Sequence, residues 1–306
     1  MAKKPAFTLA DLGEKFSDEL TCKKYLAGLR WKDGAAVCPH CGHKKSYVFS
    51  NGDYKCAACR KKYSVRVGTI FEDSKVSLKS WFIAAYLLTA HKKGISSCQL
   101  AKDIGVTQKT AWFMLHRLKF AMREKSFDAP MTGVVELDET YVGGKEANKH
   151  KSKRTEGTQG RSTKVKAPVF GMVERNGRVV AMTVKAVDAK TLEPIVTQYI
   201  KVGAKVMTDE WTAYVRLHRL YDHQIVRHGQ GEYVSGEAHT NTLEGFWSLL
   251  KRGIIGIYHH VSIKHLDQYV GEFTYRYNSR KIDDAQRFNV ALSNIDGRLT
   301  YKTLIQ

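Results

Sequence analysis

The sequence predicts a multidomain α+β protein, and three observations lead to this fold class. The chain has 306 residues, which is more than one ordinary compact core contains. Two Cys-x-x-Cys pairs lie near the N-terminus. Apolar residues follow a helical period at 8–28 and again from Ser77 to Lys119, whereas strand-like runs alternate with helices beyond Pro130. We therefore expect a domain boundary close to residue 130.

The charge of the chain restricts the partners that it can have. Lys and Arg number 50 against 30 Asp and Glu, so the formal net charge is +20. A charge of this size predicts a polyanionic partner. An anionic membrane is the alternative, but the longest apolar run, 81–90, is too short to span a bilayer. The N-terminus lacks the apolar core of a secretory signal, so we expect a cytoplasmic, nucleoid-associated protein without membrane binding.

Two cysteine pairs, C-P-H-C and C-A-A-C, are separated by 14 residues that contain the turn signal N-G-D. In a reducing compartment such pairs indicate a metal rather than disulfides. The spacing resembles a zinc ribbon, in which four thiolates hold a structural Zn²⁺. His40 or His43 could replace one ligand, and a redox pair is the alternative function. The expected ligands are Cys38, Cys41, Cys56 and Cys59.

Residues 96–119 predict a short helix, a turn at Gly105 and a second helix capped by Thr107. This arrangement is that of a helix-turn-helix, and the basic charge around it favours DNA binding. A plain helical hairpin is the alternative. The side chains expected to face a major groove are Gln108, Lys109 and Trp112.

The region after Pro130 predicts three strands, a helix, a strand, a helix, a strand and a final helix. This is the order of the ribonuclease H-like fold. We therefore expect a zinc ribbon and a helix-turn-helix, followed by a ribonuclease H-like α/β catalytic domain. The expected domains are 1–72 with the ribbon, 73–126 with the helix-turn-helix, and 130–300 with the catalytic fold and a basic insertion at 145–166.

The final helix carries polar residues at steps of four and three, namely Glu244, Ser248 and Lys251. They share one face, while an adjacent apolar stripe can be buried. Glu244 and Lys251 lie two turns, about 10 Å, apart on such a helix. The alternative is a capping box, in which Glu244 reaches back to the helix start at Asn241.

Three motifs resemble those of a known family. They are V-E-L-D-E-T-Y-V-G-G, T-D-E-W-T-A-Y, and H-T-N-T-L-E-G-F-W-S-L-L-K-R-G with I-Y-H-H-V-S. The chain resembles the ISXO-type insertion-sequence transposases, which are DDE enzymes with an N-terminal zinc ribbon. The resemblance covers nearly the whole chain. It implies a transposase that binds terminal inverted repeats and catalyses metal-dependent DNA cleavage and strand transfer, with catalytic residues Asp138, Asp209, Glu244 and Lys251.

Three clustered carboxylates suit two hard divalent cations about 4 Å apart. We expect Mg²⁺, with Mn²⁺ as a substitute. Asp138 would bridge both ions, Asp209 and Glu244 would each bind one, and Lys251 would hold a phosphate. Glu136 shares the strand face of Asp138 and is the rival ligand, whereas strand alternation places Glu139 on the opposite face.

The insertion at 145–166 has eight Lys or Arg against two Glu, and it cannot bury a core. We expect it to be mobile without ligand and to clamp DNA; a solvated loop is the alternative. Its expected DNA contacts are Lys151, Lys153, Arg154, Arg161 and Lys164.

The expected partner is double-stranded DNA, both terminal inverted repeats and target, bound by a homodimer or a higher oligomer because two ends must be brought together. Two other functions remain open. One is a DNA-binding regulator whose fold persists without catalysis. The other is a nuclease of the same fold that lacks strand transfer.

Overall fold

The chain divides into two units, which the computed structural model describes at residues 7–123, 129–144, 146–156, 162–226 and 239–305. The first unit is Met1–Met122 with Ser279–Gln306, and the second is Arg123–Asn278. Within the described residues, no helix is both long enough and apolar enough to cross a bilayer. Helices and a mixed sheet occur together, so the α+β, multidomain prediction is confirmed.

The first unit combines a small antiparallel sheet with helices. Its strands, in the order β1-β2-β3, are β1 (Ser46–Val48), β2 (Tyr54–Cys56) and β3 (Lys62–Tyr63). Its helices are α1 (Leu9–Lys15), α2 (Glu19–Arg30), α3 (Leu78–Ala90), α4 (Ser97–Ile104), α5 (Gln108–Met122), α9 (Asp284–Ser293) and α10 (Tyr301–Ile305). Each of the first three helices begins with a polar cap, because Thr8, Asp18 and Ser77 accept hydrogen bonds from amides of the first turn.

Aromatic packing makes the C-terminal segment part of the first unit. Phe288 of α9 is buried, and its ring lies 5.7 Å from that of Phe82 in α3 and 6.0 Å from that of Phe16. The pair of Phe288 and Phe82 is edge-to-face, an arrangement that stabilises a core beyond its buried area. The expected catalytic domain, 130–300, therefore extends past the end of the second unit at Asn278.

Helices α4 and α5 are joined by the turn expected at Gly105. Gly105 has a φ of 68°, and the Val106 amide donates to the Ala101 carbonyl, which ends α4 in the left-handed geometry that glycine favours. The Thr110 amide donates to the Thr107 hydroxyl, so Thr107 caps α5 as expected. The local geometry of the two helices thus follows from one glycine and one threonine.

The second unit is built on a five-stranded mixed sheet in the order β6-β5-β4-β7-β8. The strands are β4 (Val134–Val142), β5 (Ala167–Glu174), β6 (Val179–Thr183), β7 (Lys205–Asp209) and β8 (Asp222–Val226). Pairs β4–β5 and β5–β6 are antiparallel, and pairs β4–β7 and β7–β8 are parallel. The helices are α6 (Ala189–Tyr199), a 3₁₀ helix (Thr212–Arg219), α7 (Asn241–Gly253), a π-helix (Ile254–Tyr258) and α8 (Ile263–Asn278). This is the predicted order of elements.

Side-chain alternation on the sheet creates two apolar layers. Val135 and Leu137 of β4 pack with α6 and the 3₁₀ helix, whereas the other face packs against α7 and α8. Gly171 of β5 lies opposite Asp138, and a Cβ there would stand 2.6 Å from the Trp247 ring. The missing side chain therefore lets α7 approach the sheet beside Asp138.

Candidate active site and metal centres

One cavity of about 720 Å³ in the second unit is bordered by β4, the end of β7 and one face of α7. Because β4 and β7 are parallel neighbours, their C-terminal halves lie at the same edge of the sheet. The polar face predicted for α7 points into this cavity, while its apolar stripe is buried. All four residues expected to be catalytic line the cavity: Asp138, Asp209, Glu244 and Lys251.

Three carboxylates of the cavity are close enough to share a cation. Oxygens of Asp138, Glu139 and Asp209 all lie within 4.8 Å of one another. Glu139 nevertheless belongs to this group, although strand alternation was expected to place it on the face opposite that of Asp138. Alternation does turn Glu139 toward the 3₁₀ helix, where its Oε2 accepts a 2.8 Å hydrogen bond from the Tyr214 hydroxyl. Its longer side chain nevertheless brings the carboxylate beside those of the two aspartates.

Hydrogen bonds fix the two aspartates in place. The indole Nε1 of Trp247 donates to Asp138 Oδ2 at 2.9 Å. Asp209 is the last residue of β7, and its Oδ1 accepts the Trp211 amide at 3.0 Å, which is a local turn that orients the carboxylate. Both carboxylates are therefore held before any ligand arrives.

The carboxyl group of Asp138 has a raised pKa. Burial, and then the neighbouring charges of Glu139 and Asp209, raise its pKa to about 7, against the hydrogen bond from Trp247. In the metal-free protein, ionising a carboxyl group with this pKa lowers the stability of the folded state. A hard divalent cation removes that cost, so the donor set fits such a cation.

Glu244 lies at the rim of the same cavity. It is exposed, and the Thr240 hydroxyl donates to its Oε1 at 3.3 Å. Among the described residues, the group within 4.8 Å contains Glu139 in place of Glu244. A metal-binding role for Glu244 stays a prediction.

Glu136, the alternative metal ligand, makes its hydrogen bonds to other groups than the clustered carboxylates do. It is fully buried and accepts hydrogen bonds from the Thr242 and Leu243 amides at 2.9 and 3.1 Å. It also pairs with Arg175 at 2.7 Å. Glu136 therefore caps α7 from β4. The alternative of a capping box between Asn241 and Glu244 is wrong, because the N-cap residue is Thr240 and no side-chain capping bond is made there.

A second metal centre lies in the small sheet of the first unit. The Sγ atoms of Cys38 and Cys59 are 3.7 Å apart, and those of Cys41 and Cys56 are 3.6 Å apart. A tetrahedron with Zn–S bonds of about 2.3 Å places its sulfurs about 3.8 Å apart, so the four thiols fit Zn²⁺. The four expected ligands form the second cluster of metal-binding groups found in the described part of the chain, and neither histidine belongs to it.

The three expected groove-facing side chains lie on the first turns of α5. Gln108 and Lys109 are exposed, and Trp112 is half-buried. Gln108 Nε2 donates to the Ser97 hydroxyl at 2.8 Å, the ring of Trp112 lies 4.2 Å from that of His116, and Lys109 Nζ lies 5.1 Å from the Tyr301 ring. Their contact with DNA stays a prediction.

The basic insertion has local structure where it is described. Two short 3₁₀ helices, Glu146–Asn148 and Lys151–Lys153, are held by Arg154, whose guanidinium donates to the Lys149 and Ala147 carbonyls. Lys151, Lys153 and Lys164 are exposed. Arg161 lies outside the described residues.

Comparisons with known proteins match both regions. Residues 130–278 match the family described as ISXO2-like transposase domain, and residues 17–62 match the transposase zinc-ribbon domain. A protein of Halobacterium salinarum, described as an uncharacterized protein in transposable element ISH50, is 32% identical over 255 residues. The matched stretch covers 78% of this chain and 83% of that protein. The first match contains the three clustered carboxylates, and the second contains the four thiols.

Proposed function

Because this chain belongs to the family of ISXO2-like transposases, we propose that it is the DNA transposase of an insertion sequence. It binds the terminal inverted repeats, cuts DNA at them and joins the ends to a target. The observation that carries this proposal is the single cavity lined by Asp138, Asp209, Glu244 and Lys251. A regulator that only binds DNA has no use for carboxylates crowded in this way.

The strand order of the five-stranded sheet supports a ribonuclease H-like fold for the second unit. Three antiparallel strands lead to two parallel ones, in the order β6-β5-β4-β7-β8. In this arrangement the central strand β4 and the adjacent strand β7 deliver acids to one edge, and α7 closes over them. This arrangement supports a site in which acids that are far apart in sequence would surround one phosphate.

Asp138, Asp209 and Glu244 are the residues that would hold the divalent cations, and Glu139 adds a fourth carboxylate close to two of them. When bound, a pair of Mg²⁺ or Mn²⁺ ions supplies Lewis acidity to the attacking and leaving oxygens of an in-line displacement.

The chain's own residues position the acids and the DNA. Trp247 and Trp211 hold the two aspartates through hydrogen bonds. Lys251 lies two turns from Glu244 on the same face of α7, where its ammonium can bind the phosphate next to the scissile one. Asp138 has to lose its proton to bind a cation, so binding of the cation should tighten as the pH rises through the raised pKa of Asp138 in the metal-free protein.

DNA recognition is assigned to the first unit and to the basic insertion. The turn at Gly105 and the Thr107 cap support a helix-turn-helix formed by α4 and α5. In such a motif, α5 would present Gln108, Lys109 and Trp112 to a major groove. The ribbon on its structural Zn²⁺ adds phosphate contacts, and Lys151, Lys153, Arg154, Arg161 and Lys164 add others along the duplex. Joining two ends requires two such sets, so a homodimer is the smallest assembly that fits.

The proposal is tested by incubating the protein with terminal-repeat DNA, a target plasmid and Mg²⁺. Asp138→Asn and Glu244→Gln should each abolish the joined product, whereas Asp222→Asn, which removes a charge at the exposed start of β8, should leave it unchanged. Cleavage without joining would identify a nuclease, and binding without cleavage a regulator. If Glu136→Gln abolished activity and Asp138→Asn did not, the assignment of the acids would be wrong.

A further inference from the structure

An exposed isoleucine stands between the carboxylate cavity and a second cavity. Ile255 is 70% exposed, more than any other large apolar side chain in the described part of the chain. It lines the carboxylate cavity and also a neighbouring cavity of about 420 Å³, and Lys251 likewise lines both. Single exposed apolar residues are common, so exposure alone assigns no role. Ile255 is unusual because it lies between two cavities and lines both of them.

The backbone that carries Ile255 is anchored on both sides. It belongs to the π-helix that continues α7, and such local widening of a helix is frequent at functional sites. Ile254 is 7% exposed and packs in the core below α7. The Tyr258 hydroxyl donates to both oxygens of the fully buried Glu272, which also binds Arg276. Ile255 is therefore presented to solvent by a segment with fixed ends.

The second cavity has the chemistry of a nucleobase pocket. Its volume falls within the range of roughly 300–1,000 Å³ that is usual for small-ligand pockets. Tyr141, His259 and His260 offer rings on which a base can stack, and Asn148 offers an amide that can donate and accept. His259 ends the π-helix with a φ of 58°, a left-handed conformation that is uncommon for a residue with a side chain.

The positive charge where α7 meets the π-helix favours a nucleic-acid strand as the ligand of this pocket. Lys251 and Arg252 are exposed on the side where α7 meets the π-helix, and both line the carboxylate cavity. They can hold the phosphates of one DNA strand as it passes from the carboxylates to the second cavity. Apolar side chains inserted between base steps are a recurrent means of unstacking DNA.

We propose that Ile255 is a wedge that opens the base pair next to the phosphate held by the carboxylates, and that the unpaired base enters the cavity bordered by Tyr141, His259 and His260. This inference rests on the proposed function, since it assumes that DNA lies across the carboxylates. It gives the π-helix and the second cavity a role in holding the strand end during cutting and joining. Opening the pair draws the scissile phosphate out of the regular duplex, where the acids can reach it.

The wedge is tested with terminal-repeat duplexes that carry 2-aminopurine at single positions on either side of the cleavage point. The 2-aminopurine is placed in the strand opposite the one whose base enters the cavity, so that the rings of the cavity cannot stack on it and quench it. In Ca²⁺, binding of the wild-type protein should raise the fluorescence at one position next to that point, because an unstacked 2-aminopurine is no longer quenched. Ile255→Ala should abolish the rise. Ile263→Ala, which removes the same atoms from a 61% exposed site that lines neither cavity, should keep it.

A cleavage assay in Mg²⁺ separates a wedge from a merely structural residue. Ile255→Ala should cut fully paired DNA about tenfold more slowly or worse, and should regain the wild-type rate on DNA mismatched at the same position, since the pair is then already open. An equal defect on paired and mismatched DNA, or no fluorescence rise in the wild type, would overturn the wedge. The fluorescence result decides the wedge even if no strand is cut, whereas absence of cutting by the wild type would overturn the proposed function.

Discussion

Replacing Asp138 by Asn should stabilise the metal-free protein, and the gain should grow with pH. The Asp138 carboxyl has an ordinary pKa of 3.8, which burial and then the charges of Glu139 and Asp209 raise to about 7 in the folded state. Between these values the folded state binds more protons than the unfolded chain, so the free energy of unfolding falls as the pH rises. Above pH 7 the loss is complete, and it amounts to about 4 kcal/mol because each pKa unit corresponds to about 1.4 kcal/mol.

The Asp138→Asn substitution removes this pH dependence of stability and keeps the hydrogen bond from Trp247. The Asn side-chain oxygen can still accept this hydrogen bond, and the side chain never ionises. The stability of Asp138→Asn minus that of the wild type should therefore increase by about 2.5 kcal/mol between about pH 5 and pH 8 in EDTA. Mg²⁺ should stabilise the wild type at pH 8 and the variant far less.

The assay is a urea series in which the protection of the β4 amides is followed by pulsed hydrogen exchange, so that the second unit alone is measured. Asp222→Asn is the matched control, since it removes one exposed carboxylate outside the cavity and should show no growing gain. A difference between Asp138→Asn and the wild type that stays constant from pH 5 to pH 8 would refute the reasoning.

Three other perturbations test separate parts of the structure. Cys56→Ser should lower the bound zinc from one ion per chain to none by elemental analysis, and retention of full zinc would contradict the four-thiol site. Gly171→Ala should lower the free energy of unfolding by about 1–3 kcal/mol in urea, because its Cβ would collide with the Trp247 ring; an unchanged midpoint would count against the close approach of α7. Glu136→Gln should cost about 1–3 kcal/mol without weakening Mg²⁺ binding by calorimetry, whereas Glu139→Gln should weaken it; the reverse pattern would exchange their roles.

Periodicity and turn chemistry predicted most of the fold. Strand-like runs after Pro130 identified the order of strands and helices in the second unit, and Gly105 with Thr107 identified the boundary of α4 and α5. These signals are local, because a few neighbouring residues determine each of them. The C-terminal segment was harder, because Phe288 packs with residues more than 200 positions earlier. The spacing of apolar residues around Phe288 cannot predict a contact with such distant residues.

The cavity was predicted in outline, and its hydrogen-bond partners were not. The family resemblance and the motifs named Asp138, Asp209, Glu244 and Lys251, all of which line one cavity. The role of Glu136 depends on Thr242 and Leu243, more than 100 residues away. Glu139 has a nearer signal, since an acid directly after Asp138 brings a second charge to the same end of the strand. Alternation predicted its face correctly, but the length of its side chain determines where the carboxylate lies.

The central claim is that the acids of β4, β7 and α7 meet around divalent cations that a DNA phosphate joins. It is tested most directly by anomalous diffraction from Mn²⁺ in crystals of the protein with terminal-repeat DNA. We expect two Mn²⁺ peaks, one between Asp138 and Asp209 and one between Asp138 and Glu244, each in contact with the same phosphate. Peaks that lie away from Asp138, or a phosphate bound with Glu244 still turned to Thr240, would contradict the account.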